Sequence, residues 1–170
     1  MSVSRILGLT FATALLTEAQ PVRVELFENV LAGSEFEIRD RQPAERYSEP
    51  AYGFVRTPIR YSSSAIPLDR SVPFVLRAAY ERTLPAGPHN FRLRARGAAV
   101  LWVNGSQVLS TKPQKPNKSG DDPVPPPVVR DNSPLRPAAY PHQDATATLD
   151  LGAGTHRFEL IAIIGGKGLY

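Results

Sequence analysis

The sequence predicts an all-β fold, an antiparallel sandwich or barrel carrying one long Pro-rich loop. Three observations predict it. Apolar and polar residues alternate at period two in several short runs, which gives each run one buried and one wet face. Gly and Pro clusters separate those runs as turns. No long segment beyond the N-terminus shows helical periodicity. The chain has 170 residues, enough for one domain with a real core.

Met1 to Ala19 reads as a secretory signal. Arg5 supplies the positive start, Ile6 to Leu16 the apolar run, and Thr17 and Ala19 the small residues before a cut ahead of Gln20. The apolar run is too short to span a bilayer, so no membrane span is expected. The alternative is a first strand or helix of the domain. On the signal reading the protein is secreted, periplasmic or at the cell surface, and residues 20–170 form a single β domain.

Pro21 to Asn29 alternates Val22, Val24 and Leu26 with Arg23, Glu25 and Phe27, and predicts the first strand. Leu31 to Tyr61 is mixed. Its charged, Pro-flanked pieces Arg39-Asp40-Arg41 and Glu45-Arg46 read as loop, and Phe54 to Tyr61 as an edge strand limited by Pro58. Val72 to Thr83 is strand-like, with Phe74, Leu76, Ala78 and Tyr80 on one face. Its expected partner is the strand around Phe91.

Leu84 to Leu109 carries the clearest signal, a β-meander. Pro85, Gly87 and Pro88 make its entry turn. Phe91, Leu93 and Ala95 then alternate with Arg92, Arg94 and Arg96. The run around Trp102 ends in Asn104-Gly105, a pair suited to the two positive φ values of a type I′ hairpin. Leu84, Ala86, Gly87, His89, Phe91 and Leu93 recur at one offset as Leu151, Ala153, Gly154, His156, Phe158 and Leu160. Two copies are too few for a solenoid and point to two strands sharing one turn chemistry.

Residues 112–143 form a Pro-rich insert with nine prolines and few residues that could enter a core. Loops of this length are functional or disordered. Asp144 to Leu151 resumes the alternation. Thr155 to Ile164 is the most apolar strand and is expected at the centre of a sheet.

The blocks LPAGPHNFRLRARGAAVLWVNGSQVL and ATATLDLGAGTHRFELIAIIGG resemble the anthrax protective-antigen-type β-domain, a module of bacterial toxins, glycosidases, yeast adhesins and secreted bacterial proteins. VELFENV, FEIRDRQPAERYSEPAYGFV and IGGKGL resemble N-terminal modules of large planctomycete proteins with cytochrome-like domains downstream. The resemblance implies a β-sandwich, a non-catalytic recognition role and further chain after Tyr170. In the adhesin branch two adjacent Asp before the Leu-Trp strand hold calcium and a sugar. Here Arg96 and Gly97 stand at those positions, and neither side chain can ligate calcium.

Chemistry is sparse in the sequence. The absence of cysteine removes disulfides, thiolate metal sites, thiol nucleophiles and C-x-x-C-H haem attachment. There is no G-x-S-x-G elbow and no H-E-x-x-H. No catalytic residue, metal or cofactor is therefore expected. The net charge of +4 is spread along the chain, and no aromatic residues interleave with the Arg92–Arg94–Arg96 stripe. That stripe reads as the solvent face of a strand, paired to Glu81 or Glu159, and no nucleic-acid partner is expected. Asn104-Gly105-Ser106 matches a glycosylation sequon but reads first as a hairpin. Arg96, Trp102, Asp121 and Asp122 are the candidate ligand-binding residues, although Asp121-Asp122 also suits a solvated turn. The expected partner is a glycan or cell-envelope component. The alternatives are docking on downstream domains of the same protein, and service as an accessory domain of a glycan-degrading enzyme.

Overall fold

The computed structural model describes residues 20–31, 36–38, 40–54, 57–70, 73–112, 136–138 and 142–165. The expected signal, Asp121, Asp122 and most of the Pro-rich insert lie outside those residues. The described residues contain ten strands and no helix. Every strand pairing is antiparallel.

Six strands make the main sheet: β1 (Val22–Phe27), β2 (Glu45–Glu49), β5 (Phe74–Leu84), β7 (Ala99–Val103), β8 (Ser106–Thr111) and β10 (Gly154–Ile164). Their order is β2-β1-β5-β10-β7-β8. Two further pairs stand apart, β3 (Arg60–Tyr61) with β4 (Pro67–Leu68), and β6 (Gly87–Ala95) with β9 (Gln143–Leu151). The all-β class is as expected. The strands form two layers, and the described ones do not close into a barrel.

Alternation decides which residues are buried between the layers. Val24, Leu26, Leu76 and Ala78 are almost wholly buried on the inner face of the main sheet. Burying one such large aliphatic side chain contributes about 1.5–3 kcal/mol. Leu93 of β6 packs with Leu101, Val103, Leu109 and Phe158, and Ala145, Ala147 and Leu149 of β9 pack against the same group. The β6–β9 pair is thus a lid on the β10–β7–β8 half of the main sheet. Tyr52 and Phe54, from the segment after β2, pack against the β1–β5 half. Phe54, Tyr52, Tyr80, Phe158 and Phe91 form a chain of ring contacts 4.8–6.1 Å apart that links the two halves.

On the opposite, outer face, Phe27, Val75 and Ile161 are covered at one end by Val30 and Ile38.

The repeated sequence block has a geometrical meaning. β5 runs into β6, and β9 into β10, through two tight corners. Leu84 pairs with Gly154, and three residues on Gly87 pairs with Leu151. The register is therefore unchanged across the corner, from Phe74↔Ile164 to Ala95↔Gln143. One long two-stranded ribbon folds over and contributes to both layers. Gly87 and Gly154 take φ of 127° and 140°, a region that side chains avoid. At each corner a histidine Nε2–H donates to the carbonyl four residues back: His89 to Pro85 at 2.9 Å, His156 to Gly152 at 2.8 Å.

Several expectations are corrected. β5 pairs with β1 and β10, not with the strand around Phe91. The meander does not stay in one sheet, because the corner sends β6 to the second layer and leaves β7 and β8 in the first. Glu45 and Arg46 belong to a strand, held by the Arg46–Glu25 ion pair at 3.1 Å beside β1. Among the described residues of the stretch 54–61, only Arg60 and Tyr61 are strand. Thr155 to Ile164 is central as expected, flanked by β5 and β7.

Candidate functional site

Beyond the stretch covered by Val30 and Ile38, the outer face of the main sheet carries charged residues and Trp102. A salt-bridge row crosses four of its strands. Arg46 on β2 meets Glu25 on β1 at 3.1 Å, and Glu25 meets Arg77 on β5 at 3.4 Å. Arg77 meets Glu159 on β10 at 3.1 Å, and Glu159 also accepts from Arg157 at 3.3 Å. The register puts Glu25 across from Arg77 and Glu159 across from Trp102. Glu159 is 9% exposed, an unusual burial for a carboxylate, which its two guanidinium partners make tolerable.

Trp102 and Glu159 border a depression of about 500 Å³ together with Arg77, Asn104, Gly105 and Arg157. A second depression of about 380 Å³ shares Arg157 and continues past Gln20, Pro21, Arg23, Ala79, Tyr80 and Glu81. Both volumes are of the size that holds small organic ligands.

The turn at one end of this site is tightly built. Asn104 and Gly105 have φ of 51° and 82°, the two positive values expected of the hairpin. The Asn104 backbone N–H donates to Arg157 O at 2.9 Å, and the Arg157 N–H donates to Asn104 Oδ1 at 3.0 Å. Asn104 Nδ2 donates to His156 Nδ1 at 2.8 Å, consistent with His156 Nε2 carrying the proton given to Gly152. Arg157, which joins the two depressions, is thus held by its backbone from the hairpin side.

Of the two predicted binding residues that are described, Trp102 lies in this site and Arg96 does not. Arg96 is exposed in the turn between β6 and β7 and borders neither depression, while Asp121 and Asp122 lie outside the described residues. Gly97 is buried, and its carbonyl accepts from Thr111 Oγ1 at 2.8 Å. The arginine stripe lies on the outer face of the second layer, as expected, but its cross-strand neighbours differ. Arg94 faces Asp144, with a two-pronged ion pair at 2.7 and 2.8 Å, and Arg92 faces Thr146. Hydrogen bonding to Asp144 raises the Arg94 pKa above its ordinary value. Arg77 and Arg157 do not stand out in the sequence, and Glu159 is expected there only as a partner of the arginine stripe, because nothing local marks three charges brought together by pairing between distant strands.

Among the described residues no His, Asp and Glu side chains group as a metal site would require, and no helix is long and apolar enough to cross a membrane.

These features define an all-β, two-layer domain with an open, charge-lined groove beside a tryptophan. No protein-family model matches the chain, and no curated protein matches it. Among solved structures, a β-glucosidase from Kluyveromyces marxianus in complex with glucose shares the fold, with a TM-score of 0.52 at 12% identity over 85% of this chain. A GH31 α-xylosidase from Xanthomonas citri aligns over 86% of this chain at 16% identity and a TM-score of 0.44. The chain spans 14% of the β-glucosidase and 12% of the α-xylosidase.

Proposed function

We propose that the chain is a non-catalytic recognition module of a larger exported protein, with a carbohydrate or other cell-envelope glycan as its ligand. The observation that carries this reading is the outer-face groove, where an indole stands beside fixed charged and amide groups. Such a mixture suits a polyhydroxylated ligand, whose C–H faces pack on an aromatic ring and whose hydroxyls need paired donors and acceptors. The fold shared with a small part of a β-glucosidase agrees with an accessory role, as does the sequence resemblance to the protective-antigen-type β-domain. The test is native electrophoresis of the full chain through gels containing soluble polysaccharides, beside a reducing-end assay on the same polymers. Retardation without hydrolysis is expected. Release of reducing ends by the purified chain would overturn the non-catalytic reading.

A second reading, a domain that docks on other parts of a longer chain, draws on one observation. Ile59, Tyr61, Ile66 and Leu68, in and around the β3–β4 hairpin, are between 42% and 64% exposed. Exposed apolar groups gathered on one short element suit a protein–protein contact.

A further inference from the structure

We propose that the two outer-face depressions are consecutive subsites for one neutral pyranose oligosaccharide, lying across the strands from Trp102 to Arg23. This rests on the glycan reading above and adds the site, the direction, the length and the charge class of the ligand.

The direction follows from the register. Trp102 pairs with Glu159, Glu159 with Ala79, and Ala79 with Arg23. These four residues form one row across β7, β10, β5 and β1. Arg157 and Glu81 stand opposite each other on one side of the row. Arg77 and Glu25 stand opposite each other on the other side. Ala79 is the small residue in the row, and it lies between the larger side chains of Glu159 and Arg23. Ala79, 6% exposed, floors the second depression, and Arg157, which borders both, joins it to the first at Trp102. Neighbouring strands lie about 4.8 Å apart, so the row spans about 14 Å, roughly the length of two to three pyranose rings.

The charge class follows from the groups along the groove. Arg23, Arg77 and Arg157 border the two depressions together with Glu81 and Glu159, so cations and carboxylates are interspersed along the groove. An anionic sugar would have to lie over Glu81 and Glu159, and a cationic one over Arg23 and Arg157. Glu159, held between Arg77 and Arg157, instead presents donors and acceptors together, which is what a neutral diol needs.

Trp102 is the sole tryptophan of the sequence, so its fluorescence reports directly on the groove. The experiment titrates the full chain with glucose, cellobiose, cellotriose, laminaritriose, maltotriose and trigalacturonate, following tryptophan emission. At least one neutral trisaccharide is expected to change the emission with an affinity about tenfold or more above that of glucose. Trigalacturonate should give no saturable change. Ala79→Leu fills the floor of the second depression and should reduce the trisaccharide to the affinity of a single ring, while Arg157→Ala should weaken every ligand. Arg96→Ala should have no effect. Circular dichroism on each variant separates lost binding from lost folding.

Tight binding of trigalacturonate with none of the neutral sugars would overturn the charge class but leave glycan recognition standing. Retardation in polysaccharide gels without any emission change, or with loss only in Arg96→Ala, would overturn the site. Failure of every gel and every sugar would overturn the recognition reading itself.

Discussion

Asn104 and His156 share a 2.8 Å hydrogen bond that ties the β7–β8 turn to the second corner of the folded ribbon. The bond fits one arrangement of protons. The Gly152 carbonyl can only accept, so His156 Nε2 carries the proton and Nδ1 is left as acceptor for the Asn104 amide. The Asn104 oxygen is meanwhile occupied by the Arg157 N–H.

Asn104→Ala should therefore cost more than a turn substitution alone. It forfeits two side-chain hydrogen bonds and leaves a β-carbon residue at φ of 51°, for about 2–3 kcal/mol. Asn104→Gly relieves the backbone cost and should lose about 1–2 kcal/mol. Equal stabilities of the two variants in urea melts would mean that the left-handed backbone imposes no cost. A double-mutant cycle with His156→Ala should show coupling of about 0.5–2 kcal/mol.

The two corner histidines should not be equivalent. His156 is buried and makes two side-chain hydrogen bonds, whereas His89 is half-buried with one to Pro85. His156→Ala is expected to lose about 1.5–3 kcal/mol and His89→Ala about 0.5–1 kcal/mol in denaturant melts. The reverse order would contradict the asymmetry seen at the corners.

Arg70 should be the most sensitive surface-layer residue. It is 7% exposed, pairs with Glu28 at 3.3 Å and with Glu45, and donates to the Pro58 carbonyl at 2.9 Å. Arg60 also grips Glu28, at 3.0 Å. Arg70→Met takes this partner from Glu45 and the Pro58 carbonyl and leaves Glu28 to Arg60 alone, so a loss of about 2–4 kcal/mol is expected by thermal or chemical melting. A near-neutral result would mean that Arg60 alone suffices for Glu28 and that water satisfies Glu45.

Alkaline pH should expose the role of Tyr52. Its hydroxyl lies 3.0 Å from the carbonyl oxygens of Ala78 and Phe158, and burial, with Tyr80 and Glu159 adding to it, raises its pKa. An unfolded tyrosine loses its proton near pH 10, while the folded one keeps it. Above that pH the unfolded state binds fewer protons than the native state, so stability falls as pH rises and is fully present below it. Tyr52→Phe should be less stable at pH 7 by about 1 kcal/mol and should decline less steeply above pH 10. Some slope should persist, because burial, followed by Glu49 and Glu45, also raises the Tyr47 pKa against the opposing pull of Arg70. Urea melts at a series of pH values measure both effects.

Calcium should leave the melting temperature unchanged. The sequence resemblance to the protective-antigen-type domain implies that Arg96 and Gly97 replace the two Asp of its adhesin branch, and the Gly97 carbonyl is already engaged by Thr111. A ligand that binds only the native state raises stability according to its affinity, so a rise of several degrees in millimolar calcium would reveal a site. Asp121-Asp122 would be the first place to look.

Local pattern made much of this legible. The alternation of Val22, Val24 and Leu26, the Asn104-Gly105 turn and the apolar run to Ile164 each depend on neighbours in sequence, and each holds. The repeated Gly-x-His block was visible too, and its two histidines do play one matching part. What could not be read was partnership between distant segments. Nothing around Phe91 says that its strand leaves the sheet, because one glycine at φ of 127° changes the layer without disturbing the alternation. The strand at Glu45–Glu49 hides for a related reason. Its outward Arg46 is matched by Glu25, twenty-one residues away, so a charged run looks like loop until its partner is known. The groove is harder still, since it joins Arg23, Ala79, Trp102 and Glu159 from four strands.

The ribbon also sets an order of assembly. β10 lies between β5 and β7 yet follows both in the chain. As the polypeptide emerges from its N-terminus, β5 and β7 must wait with bare edges until the last described strand arrives. Completion is therefore a late zipping event rather than gradual growth, slowed by pairings between segments far apart in sequence. A nascent or truncated chain stopped before Gly154 would offer two open edges to any neighbour.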